Sequence, residues 1–261
     1  MSRRLTHALL AAAILVGLAT LGCTGGGDDE AASTAEPTET PTPSETLTAA
    51  SPADLTSYRY SVNVSLLPSI LDVSEAPEGL PLDSPIRITI DGERVNPDRE
   101  HATTTADMGF LQVRTESIVV GEQRWLREGN GSWKEGAASG LESFAGLDFR
   151  PSVLFADDEG QYDLVARQLE DYEWVEEEVE GIPTRRFTLD EDEFFALFQQ
   201  DHVLPLEVDA NLTADIWLAR ELGTPVRLLV VGTSDAGDEV VRLELALRDL
   251  NAEDIAVEAP S

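Results

Sequence analysis

The sequence has few of the residues that most often carry chemistry. Among 261 residues there is one cysteine, Cys23, one lysine, Lys134, and three histidines, His7, His101 and His202. A lone cysteine excludes an internal disulfide, and the histidines lie in no spacing that would form a zinc site. No nucleophile elbow, phosphate-binding loop or dinucleotide fingerprint is present. We therefore expect no catalytic residues, no metal ion and no cofactor, and we predict that the protein is not an enzyme.

Basic residues are also scarce. The chain has 18 Lys and Arg against 50 Asp and Glu, which gives a formal net charge of -32. Such acidity repels phosphate groups, so we expect no nucleic-acid partner and no electrostatic attraction to anionic membrane surfaces. Acidic runs such as 157–159 and 190–193 lack the alternating loop that binds calcium, and they predict solvated surface instead.

Long hydrophobic runs are absent except at the N-terminus. Residues 8–21 are apolar and follow an arginine pair, which is typical of a secretory signal and too short to span a bilayer stably. The run is followed by Gly22 and Cys23. Lipoprotein processing requires this order, a small residue directly before the cysteine that is acylated. We predict a signal peptide over 1–22 and lipidation of Cys23, with an ordinary signal and an unused thiol as the alternative. The remaining twin-arginine pattern is missing, so Sec export is expected.

Composition changes directly after the cysteine. Residues 23–53 contain glycine and acidic runs, repeated Thr and Pro, and no aromatic residue. Such a segment cannot bury enough apolar surface to order itself, and we predict a tether about 30 Å long as a random coil. The remaining residues, 54–261, are long enough for one domain with its own core. The expected location is the extracytoplasmic face of the cell membrane, through the lipid anchor.

The body of the chain alternates between apolar and polar residues. In 58–66 the apolar residues all occupy one face of an extended strand, and 86–90 and 241–247 repeat the pattern. Antiparallel sheets with one solvated face have this pattern. Further strands are predicted at 100–106, 109–120, 123–127, 132–135, 172–178, 184–189, 212–218 and 226–231.

Helical patterns are fewer. Four acidic residues at 190–193 precede an apolar run at 194–198, which predicts an amphipathic helix with acidic side chains at the positive end of its dipole. Other helices are predicted at 144–156 and 164–169, and 67–85 is predicted to be an apolar excursion from the sheet. The fold class is therefore α+β, with a long antiparallel sheet that curls around a few helices.

Several turn and strand motifs follow one another along the body of the chain: Ser57-Tyr58-Arg59-Tyr60-Ser61, Gly121 to Trp125, Asn130 to Trp133, Val179 to Phe187, Asp215 to Leu218 and Gly223 to Arg227. The sequence is similar to the LolA-like lipoproteins, in particular the LppX and LprG group, over roughly 55–260. The resemblance implies an incomplete β-barrel wrapped around helices, with an apolar cavity that carries acyl chains of lipids or lipoproteins. The same fold also serves regulatory envelope proteins that bind another protein.

Aromatic and large aliphatic residues are the candidates for a ligand site. Core packing is the alternative for each of them singly. If the predicted helix lies across the concave face of the sheet, such residues would line an apolar cavity. The candidates are Ile70, Leu71, Trp125, Trp217, Phe194, Phe195 and Phe198.

Taken together, these patterns predict a membrane-anchored extracytoplasmic lipoprotein that binds or carries a lipid or another apolar small molecule. The alternative is a regulatory or scaffolding module of the cell envelope that binds another protein.

Overall fold

The structure is a computed structural model that describes residues 51–68, 84–136, 150–151, 168–198 and 210–260. These residues form one antiparallel sheet of 11 strands. One α-helix, α1 (Glu191–Phe198), lies in full within the described residues, and a short 3₁₀ turn covers Pro52–Asp54. The strands are β1 (Ser57–Leu66), β2 (Ile86–Val95), β3 (Arg99–Asp107), β4 (Gln112–Val120), β5 (Gln123–Glu128), β6 (Lys134–Glu135), β7 (Trp174–Val179), β8 (Ile182–Asp190), β9 (Asn211–Ala219), β10 (Pro225–Thr233) and β11 (Glu239–Arg248).

The sheet consists of two meanders that meet in its centre. Its strand order is β6-β5-β4-β3-β2-β1-β11-β10-β9-β8-β7, so the first and last of the described strands are neighbours. Within the described residues the sheet is open, because its edge strands β6 and β7 do not pair with each other. The long antiparallel sheet predicted from the sequence is therefore confirmed.

The two faces of the sheet differ in composition. The core face carries Tyr60, Val62 and Val64 of β1, all of which are buried, whereas the outer face carries Arg59 and Asn63. The strand register extends this division to every strand, because antiparallel partners share a face. Apolar side chains from β1, β2 and β8 to β11 form one continuous cluster on the core face. Burial of that face supplies most of the stability of the sheet.

A glycine makes room for a buried aromatic ring in this cluster. Gly92 of β2 lies opposite Tyr60 of β1, and the buried Tyr60 ring lies over the Gly92 backbone. A Cβ atom at residue 92 would lie 2.3 Å from Cζ of Tyr60, which is far inside van der Waals contact. The absence of a side chain at Gly92 thus makes room for the tyrosine ring.

The predicted strands are reproduced to within a few residues, with two exceptions. The strand predicted to begin at residue 109 begins at Gln112, because residues 108–111 form a turn. Gly109 has a φ of 80° there, and the Met108 amide donates to the Leu111 carbonyl at 2.9 Å. The strand predicted at 132–135 is reduced to β6. Most of the helices predicted at 144–156 and 164–169, and most of the excursion at 67–85, lie outside the described residues.

Gly92→Ala should destabilise the domain by about 1–3 kcal/mol, since the added methyl group forces the Tyr60 ring out of its position. The free energy of unfolding, measured in urea, reports the loss. In the Tyr60→Leu background the same substitution should cost less, since the ring that it meets is gone. Equal costs in the two backgrounds would show that Tyr60 is not the group that excludes a side chain at residue 92.

Candidate functional site

Helix α1 covers part of the core face beside β8 and β9. The helix begins where β8 ends, and the junction is a reciprocal cap: the Glu193 amide donates to Asp190 Oδ1 at 2.9 Å, and the Asp190 amide donates to Glu193 Oε2 at 2.9 Å. Phe194 and Leu197 are buried in the main apolar cluster. The cap and these two side chains fix the helix on the sheet.

A cleft of about 660 Å³ opens between α1 and the turn that precedes β7. We call it the helix cleft. Leu197 in its wall belongs to the main apolar cluster, and Tyr172 packs against that cluster. Asp171, Glu173 and Glu193 give the cleft an acidic lining. The described lining residues are Gln168, Asp171, Tyr172, Glu173, Thr188, Glu193, Ala196 and Leu197.

A buried polar cluster lies on the core face at β1, β2 and β3. The Glu100 side chain is only 5 % exposed, and its carboxylate accepts hydrogen bonds from Tyr60 Oη at 2.6 Å and Arg94 Nη1 at 2.7 Å. Arg150 Nη1 lies 3.9 Å from the same carboxylate. Burial, and then the neighbouring carboxylate, raise the pKa of Tyr60 well above its usual value. The phenol therefore stays protonated and keeps donating to Glu100.

The role of this cluster is structural. Arg94 also donates to Asn96 Oδ1 and to the Pro97 carbonyl, both at 2.7 Å, and so ties the β2–β3 turn to the buried carboxylate. Both oxygens of Glu100 accept hydrogen bonds from the fold. The cluster thus holds three strands together and offers no carboxylate oxygen that is free of protein donors.

The predicted phenylalanines lie together on α1. Phe194 is buried, and its ring meets that of Phe195 edge to face, with centroids 5.7 Å apart. Phe195 is 38 % exposed. Phe198 is the last residue of the helix. The two aliphatic candidates, Ile70 and Leu71, and the predicted lipidation site Cys23 lie outside the described residues.

The two predicted tryptophans are not part of this group. The register puts Trp125 on the outer face, opposite Ile118 and Glu135, while its neighbour Leu126 faces the core. Trp217 also lies on the outer face, one residue after the core residue Ile216. Period-two alternation places neighbouring residues on opposite faces, so the structure brings neither tryptophan to the helix cleft.

Trp217 instead belongs to a small apolar cluster on the outer face. It packs there with Ala219 and Val226 and is nearly inaccessible to solvent. Its indole Nε1 donates to Glu177 Oε2 at 2.8 Å, and the Arg227 guanidinium lies 4.7 Å from the ring centroid. These contacts satisfy the indole, and the cation–π contact adds to the packing.

Sequence reasoning did not single out Tyr172 and Ala196 in the helix cleft, or the Glu100 cluster. Glu100 alternates with Ala102, Thr104 and Ala106, so the period-two pattern does place a carboxylate on the core face. That pattern was the available signal. Whether Tyr60 and Arg94 contact Glu100 depends on which strands are neighbours in the sheet, and no local pattern specifies that.

No ion site or membrane span is found among the described residues. The described ranges hold no group of three or more His, Cys, Asp or Glu side chains that could bind a metal ion. In the same ranges, none of the helices has the length and hydropathy of a bilayer span.

Comparison with known proteins finds similarity only among solved structures. No family model matches the chain, and no curated protein matches it. The structure of LprF from Mycobacterium bovis is similar with a TM-score of 0.46 and 14 % identity, over 79 % of this chain and 90 % of LprF. The complex of Pseudomonas aeruginosa MucA/MucB is similar with a TM-score of 0.29 and 17 % identity, over 77 % of this chain and 56 % of the other. Both TM-scores are too low to support an inference about ligands or partners.

Tyr60→Phe should lower the free energy of unfolding by about 1–3 kcal/mol, because the buried Glu100 carboxylate loses one of its donors. Tyr172→Phe is the matched control: its ring is partly buried, but its hydroxyl has no hydrogen-bond partner in the described part of the chain. The control should change stability by about 0.5 kcal/mol or less. Equal effects of the two variants in urea denaturation would contradict the role assigned to the Tyr60 hydroxyl.

Proposed function

We propose that this domain binds an apolar ligand in the helix cleft and holds it without covalent chemistry. We expect the ligand to be a lipid that places an acyl chain in the helix cleft. The protein would act as a carrier or receptor for that ligand on the extracytoplasmic face of the cell membrane, where lipidation of Cys23 would anchor it.

The observation that carries the proposal is the position of the helix cleft. Its volume of about 660 Å³ falls in the range of about 300–1,000 Å³ that is typical of small-molecule sites. The cleft adjoins the main apolar cluster through Leu197 and Tyr172. An alkyl chain that entered along these side chains would gain about 0.8 kcal/mol for each CH₂ group removed from water.

The lining of the cleft restricts the head group of such a ligand. Three carboxylates, Asp171, Glu173 and Glu193, line the cleft, and no Lys or Arg is present among its described lining residues. A negative head group at this position would be repelled by all three carboxylates. We therefore expect a neutral or cationic amphiphile, such as an acylglycerol, in preference to a free fatty acid.

Attachment to the membrane would depend on the lipid anchor. The formal charge of -32 gives no electrostatic attraction to an anionic lipid surface. Two acyl chains on Cys23 would hold the protein stably, whereas one chain alone binds only marginally.

Ala196→Trp should weaken binding of a fluorescent diacylglycerol by about tenfold or more, because the indole would occupy the helix cleft while replacing an exposed side chain. Ala236→Trp makes the same change at an exposed residue of the β10–β11 turn and should leave affinity unchanged. Fluorescence titration measures both affinities. Native mass spectrometry of the purified protein tests for a co-purified lipid.

Two outcomes would count against this site. If the wild-type protein releases no lipid on denaturation and takes up no diacylglycerol, it is not a lipid carrier. If Ala196→Trp and Ala236→Trp bind equally well, the ligand lies elsewhere. Tighter binding of a fatty acid than of the neutral diacylglycerol would refute the head-group preference.

Cys23→Ser should abolish acylation, because no other cysteine exists in the chain. Cells fed an alkyne-labelled fatty acid should label the wild-type protein and fail to label the variant. The variant should also leave the membrane fraction. Continued labelling of the variant would show that the lipid is attached elsewhere, and an unlabelled wild-type protein would exclude the anchor.

A further inference from the structure

The sheet ends in two edge strands of different length. Strand β6 has two residues, which is one way in which proteins keep an edge from pairing with other chains. Strand β7 has six residues, contains no proline, and pairs with β8 in an uninterrupted register from Trp174 to Val179. Among the described residues β8 is its only neighbour. Strand β7 is thus the longer and more regular edge.

The hairpin turn determines which backbone groups of β7 point outward. Strands β7 and β8 are joined by Glu180 and Gly181, with φ angles of 50° and 84°, as in a two-residue type I′ turn. In such a turn the closing pair, Val179 and Ile182, exchanges both backbone hydrogen bonds. From there along β7, the amide and carbonyl groups of successive residues point alternately towards β8 and away from it. The amide and carbonyl groups of Glu176 and Glu178 therefore point away from β8. They form a row of donors and acceptors along the open edge.

The side chains along this edge are acidic. The eleven residues 170–180 include seven Asp and Glu and no Lys or Arg. Two of the seven have basic partners on the sheet: Glu176 lies 3.0 Å from Arg220, and Glu177 lies 3.2 Å from Arg186. Glu173 and Glu178 are exposed and have no ion-pair partner in the part of the chain that the structure describes. Among the described residues no basic side chain pairs with Glu173 or Glu178, so these two carboxylates keep a negative potential along the edge.

This charge excludes one partner and favours another. A second copy of the protein would bring its own β7 glutamates against these, and like charges across a strand pair destabilise it. A strand that carries Lys or Arg would instead place opposite charges beside Glu173 and Glu178. Val175, which is 53 % exposed, would give the same strand an apolar contact on the outer face.

We propose that β7 is a docking edge for an extended basic segment of another protein, which adds to the sheet as a twelfth strand. Main-chain hydrogen bonds to Glu176 and Glu178 would supply affinity, and the acidic side chains would select the partner. Where β7 ends, Glu180 is part of the rim of a second cleft of about 370 Å³. Leu222, Leu250 and Ile182 line that cleft, which can receive an apolar side chain of the partner. The proposal goes beyond ligand binding and does not depend on it.

The test uses the full mature protein and a synthetic peptide of alternating Lys and Val residues. Binding measured by fluorescence anisotropy should weaken with added salt, and a peptide of alternating Glu and Val should not bind. The peptide should slow hydrogen exchange at the outward amides of Glu176 and Glu178. The inward amides of Val175 and Glu177 already face β8, so their exchange should change little.

Two substitutions of Glu176 distinguish the contribution of backbone hydrogen bonds to peptide affinity from the contribution of charge. Glu176→Pro removes an outward amide without removing a β7–β8 hydrogen bond, and proline is tolerated on sheet edges. Glu176→Gln removes the same charge and keeps the amide. We expect about a tenfold or greater loss of peptide affinity for Glu176→Pro and about a threefold or smaller loss for Glu176→Gln. Glu178→Lys, an exposed charge reversal, should weaken binding of the basic peptide.

The proposal fails if the basic peptide does not bind to the wild-type protein. It also fails if the two Glu176 variants bind equally, or if Glu176 and Glu178 amides gain no protection. Diacylglycerol binding in Glu176→Gln serves as the independent check on ligand binding, since Glu176 does not line the helix cleft.

Discussion

The pairing of β1 with β11 is the interaction on which the rest of the fold depends. The two strands lie at opposite ends of the domain sequence, and they meet in a continuous register from Arg59 opposite Arg248 to Leu66 opposite Val241. Each alternate pair on the core face joins two buried apolar side chains, such as Val62 with Leu245. Closing so long a loop costs chain entropy, and burial of these pairs offsets that cost. Without this pairing the two meanders would each expose another long edge.

Once the centre is fixed, alternation determines what each face can do. The core face is free for apolar packing, for the Glu100 cluster and for α1. On the outer face, arginines lie beside acidic partners: Arg59 is 3.0 Å from Asp249, and the Arg227 side chain lies between the Trp217 ring and Glu244. Exposed ion pairs of this kind contribute little to stability. Their effect is to neutralise the centre of the sheet locally, whereas β7 at one edge carries three glutamates and no basic residue.

Local patterns in the sequence predicted the strands, whereas they did not specify which residues meet in the helix cleft. The alternation at 58–66 and 241–247 is a property of each segment alone, and β1 and β11 therefore appear nearly as predicted. The face on which an aromatic residue lies depends on whether it is an even or an odd number of residues from a neighbouring core residue in the same strand. For Trp217 the run Ile216-Trp217-Leu218-Ala219 is apolar on both faces. The sequence around it therefore does not show which of the two faces is the core face. The helix cleft depends on how α1 and the turn before β7 meet in space, which no residue spacing specifies.

The distribution of charge separates the two proposed activities. In the helix cleft three carboxylates would act on a ligand held by apolar contact, so they would affect the choice of head group more than affinity. Along β7 the carboxylates flank backbone groups that no described strand covers, so charge there would act on encounter and on the choice of partner. At physiological salt, screening weakens the interactions of these carboxylates with charges more than about 8 Å away. Each group of carboxylates therefore acts mainly on charges that lie close to it. Glu173 lies at the junction of the two, because it lines the helix cleft and directly precedes β7. A basic strand that neutralised Glu173 would weaken the repulsion of an anionic head group in the cleft, and occupancy of the edge would thereby alter which lipids the cleft accepts.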